Sequence, residues 1–205
     1  MFDPPHLGHL LLASEAAWQL GLDRVLAVPA GMPPHRAQPI SPGGMRLRLT
    51  RALAEAEPVI HVSRVELDRP GPSYTVDTLE VLNGQYPAAE LVLLLGADQL
   101  AALATWHDAR RIPTLARIAV VPRFGVRLPP LAGVAVEVVE MPTVEVSSTL
   151  VRARVHRGEP IRHLVPDAVR DLIEREQLYR TDATDAPEPP AEARADEPPP
   201  WAGDL

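Results

Sequence analysis

The chain has 205 residues, of which 46% are hydrophobic, and the absence of cysteine excludes disulfides and thiolate metal sites. No apolar run approaches the roughly 20 residues that span a bilayer, and no signal-peptide pattern opens the chain, so we expect a cytoplasmic protein with no membrane partner. The net charge is −7, but seven acids and one arginine lie in residues 182–205, and the nearly neutral remainder argues against a nucleic-acid partner.

Apolar periodicity and turn residues predict strands that alternate with helices along the chain. The predicted strands cover residues 24–28, 59–62, 90–95, 117–121 and 134–139. The predicted helices cover residues 10–20, 42–56, 75–82, 147–157 and 166–177, and a further short helix is predicted to begin at residues 96–98. This alternation predicts an α/β fold with a doubly wound parallel sheet. The nearly continuous apolar run at 90–95 is typical of a parallel strand that is covered on both faces.

The end of the chain differs in composition from the rest. Residues 182–205 are rich in proline, alanine and acids, and they cannot bury enough apolar area to offset the entropy of ordering. We therefore expect a single domain over residues 1–181 and a disordered acidic, proline-rich tail over 182–205. The sequence leaves open whether the domain forms a homo-oligomer.

Several unusual loops follow the predicted strands. They cover residues 29–36, 96–98, 122–123 and the turn at Ser147. In open α/β sheets, ligands bind outside the carboxyl ends of the strands, and all of these loops belong to that edge. Their convergence is a stronger indication of a ligand site than any one of them.

A pair of histidines precedes the first helix. The segment reads Phe2-Asp-Pro-Pro-His6-Leu-Gly-His9 and leads into the apolar run from Leu10. The first turn of a helix has unpaired N–H groups and the positive end of the helix dipole, which suit phosphate. Alone, the pair is better explained as two polar residues at a helix start. A metal site is disfavoured, because no third candidate ligand lies at a sequence spacing typical of metal sites.

A second candidate phosphate element begins a later helix. Ser147, Ser148 and Thr149 place three hydroxyls in its first turn, and Arg152 follows one turn later. Alone, these residues are explained by N-capping and a solvated arginine. Taken with the histidine pair at another helix start, they predict a triphosphate held between two helix N-termini.

These two motifs, His-x-Gly-His and Ser-Ser-Thr-x-x-Arg, resemble the signature loops of the nucleotidyltransferase superfamily. Further segments resemble its bacterial nicotinate-nucleotide adenylyltransferase family in order and spacing: residues 33–36, 71–79, 96–98, 106–107, 122–123, 164–167 and 177–180. The resemblance covers residues 1–180. It implies a Rossmann-like fold and an enzyme that transfers the adenylyl group of ATP to nicotinate mononucleotide. The products would be nicotinate adenine dinucleotide, an intermediate of NAD biosynthesis, and pyrophosphate.

The resemblance also implies a role for each motif residue that binds ATP. His6 and His9 would be the catalytic residues, which contact the ATP phosphates and stabilise the charge that builds up at the α-phosphorus. The β- and γ-phosphates would be bound by Ser148, Thr149 and Arg152, and the ribose by Gly96 and Asp98. Phe2 and Ser147 would complete the ATP site.

The acceptor site is implied by residues from the middle of the chain. Trp106 would stack on the pyridine ring of nicotinate mononucleotide, and the backbone at Tyr74 and Thr75 would bind the carboxylate. Near the mononucleotide phosphate or the ATP, the resemblance places His35, Arg36 and Arg123. The ATP would carry Mg²⁺, held mainly by the phosphates and water, so no protein metal ligands are expected.

The start of the chain departs from the family pattern. Members of the family begin with an apolar strand and Gly-Gly-(Thr/Ser) before the phenylalanine, whereas Met1 stands directly before Phe2 here. That strand is central to the sheet, so we expect the natural start to lie upstream, with Met1 an internal methionine. A chain that began at Met1 would be expected to fold poorly and to have little activity.

Two other functions remain open from the sequence. One is a sister adenylyltransferase that acts on phosphopantetheine or another phosphorylated acceptor, although Trp106 and the loop at Tyr74 argue against it. The other is a nucleotide-binding module without catalytic activity. ATP binding together with an assay of pyrophosphate release would separate these alternatives.

Overall fold

The computed structural model describes residues 2–34, 40–122 and 134–180. Three residues with predicted substrate contacts, His35, Arg36 and Arg123, therefore lie outside the described residues. So does the predicted acidic tail, and the division at residue 181 stays a prediction.

Twelve helices and strands can be assigned within the described residues. The helices are α1 (Leu7–Leu20), α2 (Gly43–Ala54), α3 (Thr75–Gln85), α4 (Ala97–Ala102), α5 (Ile112–Leu115), α6 (Ser148–His156) and α7 (Asp167–Arg175). The strands are β1 (Val25–Ala27), β2 (Ile60–Val62), β3 (Val92–Gly96), β4 (Arg117–Val121) and β5 (Val136–Val138). Every predicted strand and helix is present, with ends that shift by a few residues. The sequence prediction does not include α5, a single turn in which Pro113 occupies the first turn, where proline is tolerated.

The strands form two parallel sheets. β1 pairs with β2, with Val25 opposite Ile60, and β4 pairs with β3 on one side and β5 on the other. The connection from β1 to β2 contains α2, and the connection from β3 to β4 contains α4 and α5, as parallel strands require. The fold is therefore the α/β arrangement that the alternating pattern predicts.

Helix α1 covers both sheets. Its Ala13 packs in a core cluster with Ala27 of β1, and its Ala16 packs with Ala119 of β4 and Val139. Among the described residues, no ladder of hydrogen bonds joins β1 to β3. The expectation of a further strand in the natural protein stays a prediction.

The central position of β4 shows in its side chains. Ile118 and Val120 face a cluster that includes Val76 of α3 and Ile112 of α5, whereas Ala119 faces α1. All three are buried. Neighbouring residues of a strand point to opposite faces, so β4 is covered on both sides.

The prediction that the run at 90–95 is covered on both faces is only partly correct. In β3, Leu95 is buried, but Val92, Leu93 and Leu94 are only half-buried. The reason is that β3 pairs with β4 along one edge alone in the described chain, so its other edge lacks the neighbour that a central strand has.

Helix α7 closes the other end of the fold against α2. It buries Val169, Leu172 and Ile173 in the cluster that also contains Leu49 and Leu53 of α2. The chain then returns to the loop before α1, where Tyr179 meets the first residues of the chain. None of the helices in the described part of the chain is both long and apolar enough to cross a membrane.

Candidate active site

The two histidines occupy the start of α1. His6 is the N-cap, with extended backbone, and its N–H donates to Nδ1 of His9 at 3.2 Å. Because Nδ1 accepts this bond, the proton of the neutral His9 ring lies on Nε2. The two rings lie 3.9 Å apart, and the ring of Phe2 lies 4.9 Å from that of His9. The capping contact therefore fixes the orientation of the second imidazole.

The environment of His9 keeps its ring neutral. Burial, and after it the neighbouring charge of His6, holds the pKa of His9 well below its ordinary value. The backbone at Gly8 lies close to the first imidazole, since an added Cβ there would stand 3.1 Å from Nδ1 of His6. His9 is thus a neutral N–H donor at neutral pH, at the positive end of a helix dipole.

The second phosphate element begins α6. Ser147 is its N-cap, and the serine Oγ accepts from the N–H of Leu150 at 3.1 Å. This hydroxyl is therefore engaged in capping the helix, which is the structural role that the sequence left open for it. The next two hydroxyls, of Ser148 and Thr149, belong to the first turn.

Removing this cap tests the structural role. We expect Ser147→Ala to lower the free energy of unfolding by about 1 kcal/mol, because an N–H of the first turn loses its acceptor. Urea denaturation measures the change. Thr114→Ala, which removes an exposed hydroxyl, is the control and should stay within about 0.5 kcal/mol of the parent chain. An equal loss in both variants would contradict the capping role.

The two helix starts, at Leu7 and Ser148, are 141 residues apart in sequence and meet in the fold. Ser148 Oγ donates to the carbonyl of Pro4 at 2.8 Å, and Arg152 Nη1 donates to the carbonyl of Asp3 at 2.7 Å. Arg152 also contacts Thr149 Oγ1 at 3.3 Å. The structure thus places two helix N-termini and a guanidinium around the loop that precedes His6.

A buried carboxylate supports this loop. Asp3 is only 2% exposed, and its Oδ1 accepts from the Tyr179 hydroxyl at 2.7 Å. Its Oδ2 accepts from the N–H groups of Ile40 and Ser41 at 2.8 and 3.2 Å. Burial raises the pKa of Asp3, but the four hydrogen-bond contributions together lower it by more. The pKa therefore lies below its ordinary value. Burial raises the pKa of Tyr179, which remains a donor.

A second set of contacts shapes the loop after β1. Ser73 Oγ accepts from the N–H groups of Gly31 and Met32, both at 3.0 Å. The neighbouring carboxylate of Glu66 accepts from Thr78 Oγ1 at 3.0 Å, and burial raises its pKa. A Cβ at Gly31 would stand 2.4 Å from the carbonyl of Glu66, so only glycine allows this approach. The loop after β1 is thereby held against the start of α3.

These loops enclose a pocket of about 240 Å³. Its lining includes the predicted Tyr74, Thr75 and Trp106, together with Ala30, Pro33, Pro34, Glu66, Ser73, Gln99 and His107. Tyr74 stacks on His107 with ring centres 4.1 Å apart. Trp106 is half-buried at the cluster formed by α3 and β4. A larger cavity of about 650 Å³, between α2 and α7, is lined by none of the predicted site residues.

The sequence prediction missed Glu66, Gln99 and the role of His107 as a pocket residue. Glu66 belongs to no recognisable motif, and Gln99 follows the Gly-Ala-Asp segment by one position. His107 neighbours the predicted tryptophan, which is the signal that could have found it. The other two enter the pocket through the tertiary fold alone.

The predicted ribose residues lie at the carboxyl end of β3. Gly96 is opposite Val121 of β4 and is the N-cap of α4, and the exposed Asp98 lies in the first turn of that helix. This is the edge at which ligands bind in parallel sheets. The structure thus puts both residues at the expected edge, next to the α4 residue Gln99 that lines the pocket.

Comparison with known proteins gives one consistent family. The Cytidylyltransferase-like family model matches residues 1–154. A probable nicotinate-nucleotide adenylyltransferase of Exiguobacterium sibiricum is 44% identical over 180 residues, which cover 88% of this chain and 95% of the relative. A probable nicotinate-nucleotide adenylyltransferase of Thermus thermophilus is 45% identical over 181 residues, with coverages of 87% and 95%.

Solved structures agree on the fold. The Plasmodium falciparum nicotinic acid mononucleotide adenylyltransferase complexed with NaAD superimposes with a TM-score of 0.70 and 14% identity, over 87% of this chain and 93% of that one. This match confirms the predicted Rossmann-like fold of nucleotidyltransferase type. With the identities above, the chain belongs to the nicotinate-nucleotide adenylyltransferase family.

Proposed function

We propose that the chain transfers the adenylyl group of ATP to nicotinate mononucleotide, which yields nicotinate adenine dinucleotide and pyrophosphate. The observation that carries the proposal is the meeting of two helix N-termini, through the contacts of Ser148 and Arg152 with the loop before His6. Two such termini form one site for a polyanion. Family membership supplies the identity of the acceptor.

In the proposed reaction, an oxygen of the 5′-phosphate of nicotinate mononucleotide attacks the α-phosphorus of ATP. The new P–O bond forms as the bond from the α-phosphorus to the bridging oxygen breaks, and the electron pair leaves with pyrophosphate. The attacking oxygen is already anionic, so no side chain has to remove a proton. Catalysis then consists of positioning and of stabilising negative charge.

The charge at the α-phosphorus would be stabilised at the start of α1. His9 offers its Nε2–H as a neutral donor, and His6 lies beside it at the helix terminus. Donors that are already oriented cost no reorganisation as the charge develops. Phe2, packed on the ring of His9, would border the nucleotide here.

The β- and γ-phosphates would be bound at the start of α6. Ser148 and Thr149 supply hydroxyls, and the cap at Ser147 orders the turn that carries them. A guanidinium has five N–H donors, so Arg152 can hold the carbonyl of Asp3 and still bind a phosphate oxygen. Pyrophosphate would leave from this position.

ATP would enter as its magnesium complex. Within residues 2–34, 40–122 and 134–180, no three histidine or carboxylate side chains cluster in a way that could hold a metal ion. The hydroxyls and helix N–H groups described above fit the phosphates, which would themselves carry the ion with water. The ion would supply neutralisation of phosphate charge.

The remaining parts of the substrates would lie along the same edge of the sheet. Asp98 and Gly96 would bind the ribose of ATP, since a carboxylate accepts from ribose hydroxyls. We also assign His35, Arg36 and Arg123 to the vicinity of the mononucleotide phosphate or the ATP, on the basis of the family pattern alone.

The pocket of about 240 Å³ would receive the nicotinate ring. Trp106 offers an aromatic face for stacking. The start of α3 offers N–H groups for the carboxylate, and Thr75 is the better donor, because the N–H of Tyr74 donates to the carbonyl of Pro72 at 3.1 Å. The stack of Tyr74 on His107 would form the outer wall of the pocket.

An acceptor panel tests the proposed function. The chain is incubated with ATP and one of three acceptors, nicotinate mononucleotide, nicotinamide mononucleotide or phosphopantetheine, and pyrophosphate release is measured. We expect the highest kcat/KM with nicotinate mononucleotide. A preference for phosphopantetheine would favour the sister transferase, and ATP binding without pyrophosphate release would favour a non-catalytic module.

The acceptor pocket is tested separately by Trp106→Ala. Loss of stacking is expected to raise the KM for nicotinate mononucleotide by about 5- to 150-fold, since aromatic stacking contributes on the order of 1–3 kcal/mol per base. The KM for ATP should not change. Trp18→Ala is the matched control, because Trp18 is 82% exposed on α1. Equal effects on the KM of both substrates would contradict the assignment of Trp106 to the acceptor.

A further inference from the structure

A buried arginine lies between two parts of the candidate site, which are called half-sites here. One half-site is the catalytic loop before His6, and the other is the acceptor pocket. Arg46 of α2 is only 2% exposed and donates to three backbone carbonyls. Its Nε donates to Ser41 at 3.2 Å, its Nη2 donates to Gly31 at 3.3 Å, and its Nη1 donates to Ala30. The three carbonyls come from two loops, and one planar fork joins them.

The first of these loops is coupled to the candidate catalytic histidines. Ser41 donates its N–H to Asp3 at 3.2 Å and its hydroxyl to Tyr179 at 3.1 Å. Asp3 in turn lies three residues before His6, in the loop whose carbonyl Arg152 holds at 2.7 Å. A shift of Ser41 would therefore move the loop that positions the histidines.

The second loop is coupled to the acceptor pocket. Ala30 lines the pocket directly, and Gly31 is bound by Ser73, which lines it too. Glu66, whose carboxylate holds the adjoining start of α3 through Thr78, completes this side. A shift of the carbonyls at residues 30 and 31 would therefore move a wall of the pocket.

We propose that Arg46 is a positioning residue that fixes the acceptor pocket relative to the catalytic loop. This inference rests on the proposed adenylyl transfer, in which the attacking phosphate oxygen belongs to one half-site and the α-phosphorus to the other. The reacting atoms must approach to about 3–3.5 Å, and a displacement of about 1 Å can cost on the order of 100-fold in rate. A rigid link between the half-sites controls this distance.

The charge of Arg46 suits this role. Burial lowers the pKa of the guanidinium, while the carboxylates of Asp3 and Glu66 act to raise it. An arginine remains charged under these conditions, whereas a buried lysine shifts its pKa readily. The two carboxylates belong to opposite half-sites, so the cation is attracted to both of them.

The test compares Arg46→Lys with Arg51→Lys, a control on an exposed position of α2. A lysine reaches one carbonyl where the arginine holds three. We expect Arg46→Lys to lower kcat by about 10- to 100-fold, with the KM of each substrate changed by less than about threefold, because each half-site stays intact. Arg51→Lys should keep kcat within about twofold.

Counting the active sites separates positioning from mere folding. Equilibrium dialysis with a non-hydrolysable ATP analogue gives the fraction of chains that bind nucleotide. A purely structural residue would lower this fraction and leave kcat per site unchanged, which would overturn the proposal. If the parent chain is active and Arg46→Lys has the same kcat, the positioning role is overturned while the proposed function stands. A folded parent chain that binds both ATP and nicotinate mononucleotide but does not join them would overturn both.

A double-mutant cycle decides the question if Arg46→Lys does not fold. Tyr179→Phe loosens the catalytic end by removing the donor to Asp3, and Ser73→Ala loosens the pocket end by removing the acceptor for Gly31. If the two ends are linked, the combined loss in kcat is smaller than the product of the single losses, by at least about threefold. If the loss in kcat of the double variant equals the product of the two single losses, as for independent sites, the link is contradicted.

Discussion

Substitution of His9 by alanine is expected to lower kcat by about 10²–10³-fold, with the KM for ATP changed far less. The magnitude is that of losing one pre-oriented donor to developing negative charge. Steady-state pyrophosphate release with saturating ATP and nicotinate mononucleotide measures it. His61→Ala removes an exposed histidine of β2 and should leave kcat within about twofold.

Loss of folding must be separated from loss of chemistry in this variant. His9 accepts the N–H of His6, so His9→Ala should also lower the free energy of unfolding by about 0.5–2 kcal/mol. Activity is therefore compared at a temperature at which circular dichroism shows both chains folded. Full activity of the folded variant would contradict a role for His9 at the α-phosphorus.

The pH dependence of stability gives a second readout for the same residue. The pKa of His9 is lowered by burial in the folded chain, whereas in the unfolded chain it is about 6.5. Below that pH the unfolded chain binds the additional proton, so His9 contributes stability above about pH 6.5 that is lost as the pH falls toward the folded pKa. His9→Ala should lack this part of the pH dependence. The neutral donor itself predicts no titration of His9 in kcat near pH 7.

The sequence predicts the secondary structure well because its signals are local. The pattern of Leu93 to Leu95 and the glycine that follows determine a strand and its end within a few residues. The histidine pair and the serines before Thr149 indicate helix starts for the same reason. Each of these features depends on the backbone of one segment, and the structure contains all of them.

The arrangement of the site depends on contacts that no local pattern encodes. Helix α2 carries three arginines, at positions 46, 48 and 51, and the sequence does not distinguish the one that is buried. Arg46 is buried because carbonyls of two distant loops converge on it. In the sequence, Asp3 is simply the residue before two prolines, whereas in the fold its partner Tyr179 lies 176 residues away along the chain.

The identity of the acceptor came from resemblance and not from elementary chemistry. A helix N-terminus beside an aromatic side chain fits many flat anions, and the residues of the pocket do not by themselves select nicotinate. Glu66 illustrates the limit, because charge alone would not predict a carboxylate beside the proposed site for the nicotinate carboxylate. Its place is explained by the hydroxyl of Thr78 and the backbone that it supports.

The second large effect is expected for Arg152→Ala, which should lower kcat/KM for ATP by at least about 100-fold. In the proposed role, the variant loses a cation that binds the β- and γ-phosphates, and it also loses the donor that holds the carbonyl of Asp3 at 2.7 Å. Arg152→Lys should recover only part of this loss, because an ammonium cannot bind the carbonyl and a phosphate oxygen in one plane.

The KM values for the two substrates, and the effect of substituting a neighbouring arginine, show how Arg152 contributes to activity. Arg154, on the same helix, donates to the carbonyl of Pro160 and not to the catalytic loop, so Arg154→Ala is the matched control. If Arg152 acts on the triphosphate, the loss appears in kcat and in the KM for ATP, while the KM for nicotinate mononucleotide stays within about threefold. If it acted only by supporting the loop of Asp3, the KM for ATP would not change. If Arg152→Ala has the same kcat and the same KM for ATP as the Arg154→Ala control, Arg152 has no role in ATP binding. The start of α6 would then touch the catalytic loop without sharing its function.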